Sequence, residues 1–184
     1  MYLLRHGQSY FNLYFTETRV DPGIEDPELT PLGLQQAKQA VVRLEGVALT
    51  RIVVSPYIRA LQTVEPIRAA FGMPVEVMHE VRERTTFVCD VGSSPDALGG
   101  RFPQHDFAHL PQRWWHESHE PPEETVGRAA AFRKLMAGRE DSDTTLVVSH
   151  WGFILALTGI SVTNGEILEY DPKSAAPEQI VWRP

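Results

Sequence analysis

Met1-Tyr2-Leu3-Leu4-Arg5-His6-Gly7 opens the chain as a short apolar run that ends in an arginine, a histidine and a glycine. The pattern recurs far along the sequence in Leu146-Val147-Val148-Ser149-His150, followed by Trp151-Gly152. Brief apolar runs bounded by polar residues fit strands buried on both faces. Two strands of a parallel sheet would each deliver a histidine at the carboxyl end, the edge where open α/β sheets bind ligands. A neutral imidazole beside a guanidinium suits attack on a phosphoryl group that the cation holds in place.

Working outward, strands and helices alternate. Thr30 can cap a helix that begins at Pro31 and runs to about Leu44, with Ala37, Val41 and Leu44 at core spacing. Arg51 to Ser55 reads as a strand ended by Pro56, and a helix follows from about Ile58 to Ala70, closed by Gly72. Val75 to Met78 is a further strand, Thr125 to Ala137 a helix, and Gly152 to Thr158 another. Ile167 to Tyr170 and Gln179 to Trp182 read as closing strands, and Tyr10 to Glu28 as mostly loop. This order predicts a three-layer α/β/α sandwich with a mostly parallel central sheet. Residues 1–184 read as one domain, with an irregular cap or lid at about 84–122.

The composition is that of a globular protein, with 184 residues, 42% hydrophobic and 22% charged. A net charge of -7 argues against nonspecific nucleic-acid binding, yet a few local arginines still suit an anionic small molecule. The one cysteine, Cys89, forms no internal disulfide and fits a reducing, cytoplasmic setting. No apolar stretch approaches the length of a membrane span, and the apolar start, interrupted by Arg5 and His6, does not read as a signal peptide.

Four groups carry chemistry. His6 needs one neutral nitrogen for attack and a hydrogen bond on the other to fix the tautomer, while Gly7 lets the backbone approach a ligand. His150 and the Trp151 backbone N–H, at a strand end and a helix start, can donate to phosphoryl oxygens. Arg59 opens a helix just after a strand and offers a bidentate fork. In Arg82-Glu83-Arg84 a carboxylic acid can protonate a leaving oxygen if its pKa is raised; Glu80 and Glu76 compete for that part.

Together these stretches resemble the histidine phosphatase superfamily, the phosphoglycerate mutase-like group. The resemblance rests on Arg5-His6-Gly7-Gln8-Ser9 with Asn12, Leu29-Thr30-Pro31-Leu32-Gly33 with Gln36-Ala37, Ser55-Pro56 with Arg59-Ala60 and Gln62-Thr63, Glu83, and Ser149-His150 with Gly152. It implies that His6 becomes a phosphohistidine, that Arg5, Arg59 and His150 surround the phosphate with Asn12 as a neutral donor, and that Glu83 is the proton donor and then the base for water. Ser9 and Trp151 complete the expected substrate contacts. No metal and no cofactor is implied. The residues after Glu83 do not resemble the Gly-rich segment of glycolytic mutases, and the chain lacks their long insertions. These departures favour a phosphatase over a mutase, with a silent phosphate-binding regulatory protein as the reading outside enzymes. The expected partner is a phosphorylated small molecule; oligomeric state is open.

The segment from Arg84 to Pro122 is expected to set substrate choice. It holds Phe87, Phe102, Phe107, Trp114 and Trp115, which Tyr10, Phe11, Tyr14 and Phe15 can join. Such aromatics form either a wall for an apolar substrate or, preferred here, the segment's own small core. His105, His109, His116 and His119 read as scattered surface histidines rather than metal ligands. Cys89 reads as structural, and Glu123-Glu124 as favourable charges at a helix start.

Overall fold

The computed structural model describes residues 1–182. Its centre is a sheet in the order β3-β2-β4-β1-β5, made of β1 (Tyr2–Arg5), β2 (Arg51–Val54), β3 (Val75–Val77), β4 (Thr145–Ser149) and β5 (Ile167–Glu169). The first four run parallel, and β5 lies antiparallel against β1. Helices α1 (Tyr10–Thr18), α2 (Pro31–Arg43), α3 (Ile58–Phe71), α4 (Pro95–Arg101), α5 (Pro122–Ala137) and α6 (Trp151–Thr158) complete the chain.

Side chains alternate across the strands and so build two cores. Leu4, Ile52, Val54, Leu146 and Val148 meet Ala40 and Leu44 of α2 and Leu61, Val64 and Ile67 of α3. Leu3, Val53 and Val147 point the other way, onto Phe132 and Met136 of α5 and Phe153, Ile154 and Leu157 of α6. The three layers are therefore those expected. Each fully buried Leu, Ile, Val or Phe contributes about 1.5–3 kcal/mol. β1, β2 and β4 end in register, because Arg5 pairs with Ser149 and Val54 with Val148. His6, Ser55 and His150, each the next residue in the chain, thus emerge at one edge.

Thr30 caps α2 through its hydroxyl, which accepts from Gly33 N, and Gly72 closes α3 in the left-handed region at φ 64°. Two expectations fail. Tyr10–Thr18 is helical rather than loop, because Ser9 and Asn12 form a reciprocal cap and Phe11 is buried. Its run of Tyr, Phe and Thr has middling intrinsic helix preference, so the cap and the packing decide. Gln179–Trp182 forms no strand. Pro177 instead packs at Gly159 beyond α6, and Trp182 lies 6.3 Å from the Trp151 ring, which draws this stretch off the sheet edge. Among the described residues no helix is long and apolar enough to cross a membrane.

Candidate active site

At the edge where β1, β2 and β4 end lies a cavity of about 480 Å³. Arg5, His6, Ser9, Asn12, Arg59, Glu83 and Trp151 line it, so seven of the eight expected site residues meet in one place.

His6 is buried, and its Nδ1 stands 2.7 Å from the Gly7 carbonyl oxygen. A carbonyl only accepts, so Nδ1 carries the hydrogen and Nε2 keeps its lone pair. Burial, reinforced by Arg59 and Arg5, holds the ring well below the ordinary imidazole pKa, so it is neutral across the neutral range. The backbone around it is fixed from two sides. Gly7 N donates to Thr63 Oγ1 of α3, while Asn164 Nδ2 and Gly165 N donate to His6 O. The need for glycine at position 7 is packing. A Cβ there would sit 2.4 Å from Gly33 O at the start of α2.

Arg5 Nη1 donates to Val162 O at 2.7 Å, while its buried Nε meets no acceptor among the described residues. Asn12 Oδ1 accepts from Ser9 N, Ser9 Oγ and Asn164 Nδ2, which leaves the Asn12 amide hydrogens free to donate. The Ser9 hydroxyl is committed to that cap rather than to the cavity. Arg59 is buried, with Nη1 on Cys89 O at 2.9 Å and Nη2 on Asp90 Oδ1 at 3.2 Å. Its guanidinium lies 4.1 Å from the Tyr57 ring centre. Asp90 in turn accepts from Thr86 N and Phe87 N, so one short turn fixes both the arginine and the segment after Glu83.

His150 departs from expectation. It is fully buried behind His6, ring centres 5.0 Å apart, and does not reach the cavity wall. Its Nε2 is 2.7 Å from Ser55 Oγ, and its Nδ1 has no partner among the described residues. Burial, together with Arg59 and the neighbouring His6, keeps it neutral as well. Trp151 spends its indole N–H on Ser161 Oγ.

Glu83 is the acidic counterpart. Its Oε1 accepts from Arg84 N and Gly152 N, both at 2.9 Å, so the first turn of α6 receives it. Burial, with the Asp90 carboxylate second, raises its pKa to about 7 against the pull of the Arg84 amide and of Arg59 and Arg5. Glu120, buried, supports the segment from below: it takes a bidentate pair from Arg128 and a contact from Arg82, and Arg128 also donates to Glu80 O and Arg82 O. The competitors fall away, since Glu76 pairs with Arg51 at 2.6 Å and neither it nor Glu80 lines the cavity. Gly152 makes room for the carboxylate, for a Cβ there would lie 2.5 Å from Glu83 Oε1. Gly152→Ala should displace that side chain while the fold persists. We expect kcat/KM to fall about 10–100-fold with an unchanged circular dichroism spectrum; full activity would show that Glu83 does not need this seat.

Sequence reasoning passed over Asp90, Asp26 and Asn164, which act across long sequence separations and stand in no motif. Asp26 accepts from Ile58 N and from the Ser93 amide and hydroxyl, tying the first turn of α3 to the segment beyond Glu83. The histidines expected at the surface divide. His105 is buried with Nε2 on Glu65 at 2.6 Å, and His109 is bonded to Val77 O. Cys89 is buried, and burial raises its thiol well above the ordinary range.

Fold and site together define a doubly wound α/β protein with a paired histidine and carboxyl at the carboxyl edge of its parallel strands. The model of the histidine phosphatase superfamily (branch 1) matches residues 1–171, and the chain belongs to that family. It is 28% identical over 167 residues to a 2,3-bisphosphoglycerate-dependent phosphoglycerate mutase of Methylocella silvestris, covering 84% of this chain and 77% of that protein. A mutant phosphoserine phosphatase of Entamoeba histolytica, solved in complex with phosphoserine, shares the fold with a TM-score of 0.60 at 21% identity, over 90% of this chain and 87% of that one. A mycobacterial glucosyl-3-phosphoglycerate phosphatase does so with a TM-score of 0.55 at 24% identity, over 85% and 76%.

Proposed function

We propose that the protein is a hydrolase of phosphomonoesters, the whole chain acting as one catalytic unit, with His6 as nucleophile. One observation carries this reading: a neutral histidine with Nδ1 locked on Gly7 O shares a cavity with a carboxyl whose pKa is raised to about 7. In the first step a bond forms between His6 Nε2 and phosphorus as the phosphorus–oxygen bond to the alcohol breaks. The Glu83 carboxyl gives its proton to the departing oxygen. In the second step water attacks phosphorus, its proton passes to the Glu83 carboxylate, and the nitrogen–phosphorus bond breaks to release inorganic phosphate. Arg5 and Arg59 balance the charge of the transferring group, and the Asn12 amide adds a donor.

The named mutase relative makes internal transfer the competing outcome. Purified protein given a panel of phosphomonoesters, including 3-phosphoglycerate with a bisphosphorylated primer, should release inorganic phosphate. Isomerisation without net phosphate release would overturn hydrolysis in favour of a mutase.

A further inference from the structure

The cavity is far larger than a phosphate needs and falls within the ~300–1,000 Å³ span of small-molecule sites. What fills the rest of its wall decides what kind of alcohol it receives. Phe11 and Phe15, one turn apart on α1, enter from one element, and Phe87, just beyond Glu83, from another. Their ring centres lie 4.9–5.2 Å apart, with the Phe11 and Phe15 planes only 15° from parallel. None of the three belongs to either hydrophobic core, whereas Phe102, Phe107 and Trp114 do. Phe102, Phe107 and Trp114 thus hold the fold, while Phe11, Phe15 and Phe87 face the cavity.

Phe15 and Phe87 are only half-buried, so part of each apolar ring is open to water until something covers it. Of the cations beside them, Arg84 is a poor anchor for a second acidic group. Arg84 is spent on Glu120 O and His119 and lies 4.9 Å over the Trp182 ring, and the Arg19 guanidinium lies over Phe15. An incoming ester with its phosphate at His6 meets this apolar shelf on the side of the cavity that α1 and Phe87 form.

We infer that the substrate class is phosphate esters of alcohols bearing an aromatic or comparably bulky apolar group, which packs on Phe11, Phe15 and Phe87. The inference rests on the hydrolase reading above and adds the identity of the leaving alcohol. The test compares 3-phenylpropyl phosphate with propyl phosphate, whose departing oxygens are chemically alike, so that their ratio reports the apolar group alone. The wild-type protein should prefer the phenyl ester in kcat/KM by about 30-fold or more. Phe15→Ala and Phe87→Ala, on separate elements, should each bring that ratio down by about tenfold. A wild-type ratio near one, or a ratio kept in both variants, would overturn the inference while leaving hydrolysis intact. Turnover of neither ester would instead count against the hydrolase reading. Calorimetric binding of 4-phenylbutylphosphonate and butylphosphonate then decides the pocket, and equal affinities would overturn the inference.

Discussion

His6→Ala should lower kcat/KM for any phosphomonoester substrate by about 10⁴-fold or more, because it removes the atom that accepts the phosphoryl group. The loss should come with little cost in stability. Desolvation disfavours the charged ring, so the wild-type imidazole adds no charge to the core at neutral pH, and its main tie is a single bond to the adjacent carbonyl. Phosphate should still bind, through Arg5, Arg59 and Asn12. A variant that folds, binds phosphate and keeps even a tenth of the activity would remove His6 from the reaction. Steady-state kinetics beside calorimetric phosphate binding makes the comparison.

Glu83→Gln should have the next largest effect, and its size should depend on the leaving group. With an alkyl ester, whose alkoxide needs a proton, kcat/KM should fall about 10²–10⁴-fold. With 4-nitrophenyl phosphate, whose phenolate departs unaided, the fall should be under about tenfold. An equal loss with both esters would show that Glu83 is not the acid. The pH profile carries the same signature. The carboxyl must be protonated for the first step, and its pKa is raised to about 7, so kcat/KM for an alkyl ester should decline above about pH 7. In the Gln variant that limb should vanish.

Stability responds in the same window. A folded-state pKa raised from 4.5 to about 7 favours the native state below pH 4.5, and that advantage is lost as pH rises through 7. Above pH 7 the wild type therefore bears the cost of a buried charge that Gln lacks. Taken whole, such a shift corresponds to about 3 kcal/mol, and partial exposure to the cavity reduces it to about 1–2 kcal/mol. Urea denaturation should find Glu83→Gln the more stable form at pH 8, with the gap closed at pH 4.

The sheet was legible because its strands are continuous apolar runs, and a run such as Leu146-Val147-Val148 has few other places to go. The two histidines were legible for the same reason, since each follows a strand whose partner ends in register. α1 was missed because its cap uses Asn12 where Glu or Gln is usual, and because Phe11 is stabilised by tertiary packing that no local pattern announces. The depth of His150 was not legible: a residue at a strand end reaches either the cavity or the layer beneath it, and its bond to Ser55, almost a hundred residues away, holds it in the latter. The aromatic residues were ambiguous because burial in a core and exposure to a cavity need the same side chains. Only the layers separate Trp114, which packs on Tyr57, from Phe87, which packs on Phe11 and Phe15.

The proposed hydrolysis depends on one covalent event. Acid-sensitive phosphohistidine can be trapped by mixing the protein with a phosphomonoester, quenching into alkali within milliseconds and mapping the modified peptide by mass spectrometry. Phosphate on His6, appearing and decaying at rates consistent with turnover and absent from His6→Ala, is the predicted result. Turnover with no phosphate on His6, or phosphate carried by another side chain, would contradict the account.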